Sequence, residues 1–181
     1  MVSQELEGRK ATAVWIDSKN ESSTYALSSF GSGNIMEKLH IGRAFTPFQH
    51  HSLIHQLEDF IQENTEILVL PNIDFLYLDG QIKEWEAEEL FHEAWEKILE
   101  TKEKYSLKVL VSISVEDSSL NYPVIGKADN KIKVEPTQQG WKYSSDDFNQ
   151  YAYENGQEIQ TTIPYWLRKT TETIKVHSEL V

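Results

Sequence analysis

Three histidines crowd the stretch FTPFQHHSLIHQL, and His51 and His55 stand four residues apart, the spacing that lets two imidazoles on a helix face one ion. No HExxH accompanies them and the third ligand would have to be guessed, so they read as the solvated start of a helix and no metal is expected. Carboxylates are the other abundant chemistry. EWEAEELFHEAWEKILE carries Glu84, Glu88, Glu89, Glu93, Glu96 and Glu100. General acid/base work needs two carboxyl groups held in different environments, whereas these six read as the wet face of one amphipathic helix. A new active site would have to gather Asp17, Asp74 and a histidine. The absence of cysteine excludes disulfides, thiolate metal sites and cysteine nucleophiles. GxSxG and GxGxxG are also absent, which leaves hydrolase and dinucleotide-binding readings without footing.

The elements that must position these groups alternate between strand and helix signals. Residues 11 to 17, ATAVWID, read as a buried strand, followed by the polar loop SKNESS. Tyr25 to Phe30 reads as a short helix closed by Gly31-Ser32-Gly33, with a second strand around Glu37 to Gly42. Leu53, Ile54, Leu57, Phe60 and Ile61 fall at helical spacing and predict one helix over residues 48 to 63. Ile67 to Leu70 gives a third strand. Ala87, Leu90, Phe91, Ala94, Trp95, Ile98 and Leu99 line one face of a helix over 82 to 104. Leu107 to Ser114, LKVLVSIS, is apolar enough to be central in a sheet. This order implies crossovers and a mainly parallel sheet, with a loop near residues 116 to 126. In the final third NKIKVEP, GWKYSS and GQEIQTTIP read as short strands turning at Gln138-Gln139-Gly140 and Glu154-Asn155-Gly156-Gln157. They are expected to extend the sheet edge in antiparallel fashion.

With 181 residues, 39% hydrophobic and rich in Trp, Tyr and Phe, the chain supports one compact domain with a real core. Its N-terminus, MVSQELEGRK, has no apolar signal-like run, and no stretch approaches a membrane span, so a soluble cytoplasmic protein is expected. The charge of −12, from 29 acidic against 17 basic residues, opposes unaided contact with nucleic acid. Solubility, in a salty cytoplasm or otherwise, accounts for it more simply than an acidic surface made for a basic partner.

Ile41-Gly42-Arg43-Ala44-Phe45, followed by Gln49, Leu53, Ile54 and Gln56, resembles the RAF-type motif of the archaeal and eukaryotic RecA/RadA recombinase family. ILVLPNIDFLY resembles that family's Walker B strand with the small-residue and Leu-Tyr segment next to it. LKVLVSISV resembles the strand entering the second DNA-binding loop, and VWIDSKNES the strand and loop of the catalytic carboxylate. The likeness spans roughly residues 11 to 126 with the order of elements preserved. It implies a reduced RecA-like α/β three-layer sandwich, a mainly parallel sheet flanked by helices with short antiparallel strands near the C-terminus. Residues 1–181 would then form a single RecA-like domain.

The first departures from the family pattern fall on ATP chemistry. A phosphate-cradling GxxxxGK[ST] should precede the first strand, but the ten residues before Ala11 contain only Gly8 and end in Arg9-Lys10. On the resemblance, the catalytic glutamate falls at Lys19, the magnesium-holding aspartate at Pro71 and the γ-phosphate-sensing glutamine at Ser114. These are degenerate ATPase positions, and neither catalysis nor a cofactor is expected. The two loops that would touch DNA, LDGQIKEWE and VEDSSLNYPVIGK, carry few cations and offer Tyr122 as a weak stacking platform. Direct nucleic-acid binding by the chain alone is therefore not expected. Phe91-His92-Glu93-Ala94 matches the FxxA docking pattern of recombinases, but lies inside a helix with both apolar residues on the core side.

The resemblance thus implies a non-catalytic RecA/RadA-like protein that modulates recombination or repair by contacting a RecA-like ATPase or a similar partner. The alternative is a structural, self-assembling protein of the same fold with no link to DNA. Candidate contact residues are Arg43, Phe45, Trp141, Tyr143, Tyr165 and Trp166. For Arg43 the competing role is bonding backbone carbonyls and bracing Phe45 against the sheet. For the aromatic residues, which include Tyr151 and Tyr153, it is core and edge packing.

Overall fold

The computed structural model describes residues 11–20, 36–114, 117–155 and 158–161. The helix expected at Tyr25 to Phe30, the breaker at Gly31-Ser32-Gly33, and the candidate residues Tyr165 and Trp166 lie outside them. Contacts group the chain into two compact units, Met1–Val124 and Ile125–Val181. Among the described residues, the strands of the second unit pair with one another.

The first unit holds a four-stranded parallel sheet flanked by helices. Its strands are β1 (Thr12–Asp17), β2 (Leu39–Arg43), β3 (Thr65–Leu70) and β4 (Lys108–Val111), in the order β2-β1-β3-β4. Strands covered on both faces need near-continuous apolar runs, and AVWI in β1 and ILVL in β3 supply them at the centre. LKVLVSIS was expected at the centre too, yet β4 is an edge strand of four residues. Exposed Lys108 and Leu110 alternate in it with half-buried Val109 and Val111. Buried Thr12 and Thr65 hydroxyls bond each other at 3.0 Å across the first β1–β3 pair.

After β2 the chain turns into α1 (Pro47–His55). The Thr46 hydroxyl accepts the Gln49 N–H at 3.2 Å, and Pro47 sits in the first turn, where its missing N–H costs nothing. The single helix expected over 48 to 63 breaks at Gln56 (φ −96, ψ 9), whose N–H bonds back to the Ser52 and Leu53 carbonyls. A separate turn, α2 (Leu57–Phe60), follows. After β3 come α3 (Phe75–Leu78) and α4 (Glu84–Tyr105), the latter closed by Ser106 in the left-handed conformation (φ 54).

Val14 and Ile16 of β1, with Leu68 and Leu70 of β3, meet Ile54, Leu57, Tyr77, Phe91, Trp95 and Ile98 in the main core. Phe91 is 1% exposed, and burying such a ring contributes roughly 2–3 kcal/mol. With Ala94 also buried, the FxxA residues pack inward as expected. On the opposite sheet face Ala11, Ala13, Leu39, Ile67 and Val69 form a second apolar cluster. Gly42 pairs with Ile16 in the ladder, and a Cβ there would stand 3.0 Å from Ile16 Cδ1 and 3.6 Å from Leu53 Cδ1. Its smallness lets α1 lie close over the sheet. No helix among the described residues is long and apolar enough to cross a membrane.

The region 116 to 126, expected as a loop, holds a 3₁₀ turn at Ser119–Asn121 running into α5 (Tyr122–Lys127). In the second unit β5 (Lys133–Thr137), β6 (Gly140–Ser144), β7 (Asn149–Asn155) and β8 (Glu158–Thr161) form an antiparallel sheet in sequential order. It is separate from the parallel sheet rather than an extension of its edge. Each strand pairs with its chain neighbour, with β5 and β8 at the two ends of the ladder. Gly140 has φ 145, and a Cβ there would collide with the Ala152 carbonyl oxygen.

Candidate functional site

In open parallel sheets, chemistry gathers beyond the carboxyl ends of the strands. Here Asp17, Ser18 and Lys19 end β1; Pro71 to Asp74 follow β3; and Ser112 to Ser114 follow β4. Lys19, Pro71 and Ser114 therefore all stand at this end, on three consecutive strands of the sheet.

What surrounds them is a network of protein-to-protein bonds. Asp74 is fully buried, and its two oxygens accept the Ser114 N–H at 2.8 and 2.9 Å while Asn121 Nδ2 donates to it at 2.8 Å. The Ser114 hydroxyl reaches Asn72 Oδ1 at 3.4 Å, and the Ser112 hydroxyl accepts the Asn72 N–H at 2.8 Å. Asn72 itself takes the left-handed conformation (φ 47), which asparagine tolerates better than most residues. One carboxylate thus braces the turn after β3, the turn after β4 and the 3₁₀ turn at Ser119–Asn121. Buried Asp17 faces Arg43 Nε at 3.8 Å and accepts the Lys19 N–H at 3.2 Å. The Ser18 hydroxyl donates to the Pro71 carbonyl at 3.3 Å, and Lys19 Nζ lies 5.2 Å from the centre of the Phe75 ring. Lys19 is turned onto its own protein.

The buried histidine belongs to a third arrangement. His50 lies at 0% exposure with its Nδ1 in a 2.9 Å hydrogen bond to the Tyr77 hydroxyl, and its Nε2 finds no protein partner. Burial, then the charge of His51, lowers its pKa to about 4; burial also pushes the Tyr77 phenol well above its ordinary value. Asp17, Asp74 and His50 each have their own partners, and no described cavity gathers them.

A concavity lies on the outer side of α1. It is a shallow depression of about 350 Å³ lined by Arg43, Phe48, Gln49, Ser52, Leu53 and Gln56. Phe45 is 60% exposed and Phe48 49%. The local cause is the cap: Gln49 Oε1 accepts the Phe45 N–H at 2.9 Å while its own N–H binds Thr46, a reciprocal arrangement close to a capping box. Ala44 is pinned inward by its N–H to the Asp17 carbonyl at 3.0 Å, and Phe45 stands outside. Arg43 does not brace Phe45 against the sheet; it reaches towards Asp17 with 41% of its side chain exposed.

Of the residues singled out in the sequence, Arg43 and Phe45 come together here. Trp141 and Tyr143 share one face of β6 in the second unit, with Val134 and Pro136 of β5. Trp141 is 43% exposed and Tyr143 half-buried. The opposite face carries Lys133, Glu135 and Lys142, whose ion pairs hold the Glu135 carboxyl below the usual range, and the stacked Tyr151 and Tyr153 rings. Sequence reasoning missed the contributions of Phe48 and Gln49 and the bracing role of Asn121. The TPFQ spacing was the available signal for the first; nothing short of tertiary contact marks the second. No protein-family model matches this chain, and a comparison with curated proteins found no match.

Proposed function

We propose that this protein is a non-catalytic relative of the RecA/RadA recombinases that modulates DNA recombination or repair by binding a RecA-like ATPase or a similar partner. The reduced RecA-like sandwich belongs to this reading, which rests on the resemblance of residues 11 to 126. One observation carries the step from resemblance to role. The positions that resemblance assigns to ATP chemistry hold Lys19, Pro71 and Ser114, and the carboxylate nearest them, Asp74, is consumed by the Ser114 N–H and Asn121. A carboxylate so engaged has no face left for a hydrated magnesium ion. Meanwhile Arg43, Phe45 and Phe48 present the kind of surface on which binding energy concentrates.

The test is affinity capture of the full chain from its native cells, with Phe45→Ala as the matched control. Recovery of a RecA-like ATPase by the wild type and its loss in the variant supports the proposal. Recovery of the chain's own copies alone favours a self-assembling protein unrelated to DNA. ATP hydrolysis by the purified chain, abolished by a single substitution within it, would overturn the proposal.

A further inference from the structure

His51 and His55 offer two imidazoles one helical turn apart, and the fold supplies the third ligand that the sequence left open. Glu93, near the middle of α4, lies directly across from α1, with its Oε2 2.9 Å from His51 Nε2. The rings of His51 and His55 are 4.3 Å apart, and one donor atom from each of the three residues falls within 4.8 Å of the others. From this geometry we infer a binding site for a divalent transition-metal ion, with His51, His55 and Glu93 as its protein ligands.

The ligand set selects the ion class. Two imidazoles with one carboxylate suit zinc and its neighbours, while magnesium and calcium prefer oxygen alone. Donors of a four-coordinate zinc ion sit about 2.0 to 2.2 Å from the metal, so the three groups have to close up slightly from their present spacing. They are free to do so. His55 and Glu93 are exposed, His51 is partly exposed, and all three project from helices whose backbones hold them in place. Exposure also leaves a route for the ion and a coordination position for water. Bound metal would replace the His51–Glu93 hydrogen bond with a coordinate staple between α4 and α1, the helix that also carries Phe48 and Gln49. A metal-dependent grip on α1 is therefore a means of rigidifying the exposed surface at its N-terminus.

Calorimetric titration of zinc into the full, untagged, metal-free chain tests this, with His55→Ala, Glu93→Gln and the double variant His51→Ala/His55→Ala alongside His92→Ala. His92 is exposed on α4 outside the cluster and serves as the control among the chain's six histidines. One ion per chain and a raised melting temperature are expected in the wild type and in His92→Ala. Even groups that merely orient a ligand are worth about 10- to 100-fold in metal affinity, so loss of His55 or Glu93 should weaken binding by about 100-fold. Cobalt in place of zinc should give a visible absorption band that the double variant lacks, and circular dichroism of that variant should match the wild type. Absence of stoichiometric binding, or binding that survives unchanged in the double variant, would overturn the assignment.

Discussion

Mild acid should destabilise the first unit because of one buried imidazole. His50 has a folded-state pKa of about 4 against an ordinary 6.5, lowered first by burial and then by His51. Between those values the unfolded chain takes up a proton that the folded chain refuses, so stability falls as pH drops through this window. It levels off below about 4, where both states carry the proton. At about 1.4 kcal/mol per pH unit the full window is worth about 3 kcal/mol, and about 2 kcal/mol of it is lost by pH ~4.5. That is a large share of a typical folding free energy of about 5–15 kcal/mol. The window is clean on its acid side. Hydrogen bonds from Lys104 and Lys97 lower the Glu58 carboxyl to about 2, so its contribution is intact above its ordinary 4.5 and fades only as pH falls from there towards 2. Urea unfolding followed by the helical circular-dichroism signal, at steps from about pH 7 to about 4.5, measures the slope in the wild type and in His50→Asn. Asparagine keeps a polar atom near the Nδ1 position for the Tyr77 hydroxyl and removes the titration. The variant starts less stable but should be flatter with pH by about 2 kcal/mol over the range. Its pH dependence retains the smaller contribution of His55, also lowered by burial and His51. Parallel pH profiles for the two proteins would refute the reasoning.

Asp74→Ala removes the acceptor of the Ser114 N–H, on an exposed residue, and of the buried Asn121 amide, and at about 1–3 kcal/mol for a buried group that loses its bond the first unit should lose about 1–3 kcal/mol in denaturant unfolding. Gly140→Ala drives a methyl into the Ala152 carbonyl at a φ that L-residues avoid, so amide exchange should speed up across β6 and β7 while α4 keeps its protection. Phe45→Ala and Phe48→Ala remove exposed rings and should change folding stability by less than about 0.5 kcal/mol. For the partner recovered by capture, each should weaken binding by about 2 kcal/mol, roughly 30-fold, in a direct binding measurement.

Much of the first unit was legible because its signals are local and redundant. The α4 boundaries, Glu84–Tyr105 against an expected 82 to 104, follow from seven apolar residues at helical spacing. β1 and β3 follow from short apolar runs bounded by polar turns. The break at Gln56 was not legible, since Leu57 and Phe60 continue the apolar stripe across it and periodicity registers the stripe alone. β4 was placed at the centre because LKVLVSIS is apolar enough for that position, but strand order is a property of pairing, and hydropathy does not encode it. The antiparallel strands were found as strands and assigned to the wrong sheet for the same reason. At the site, Arg43 and Phe45 were visible as a motif, whereas Glu93 was indistinguishable from five other glutamates until α4 was laid against α1.

The edge position of β4 bears on how this protein survives at high concentration. A sheet that ends in an open strand offers a template for other chains, and parallel sheets are slow enough to form that the template is exposed early. β4 is short, begins with an exposed lysine, and gives way after Val111 to a segment whose Ser112 and Ser114 groups are committed to the turn after β3. A second chain trying to add there finds four residues, a positive charge, and neighbouring backbone already spoken for. The same brace that consumes Asp74 therefore cuts the growing edge short, so one buried carboxylate serves colloidal stability as well as the fold.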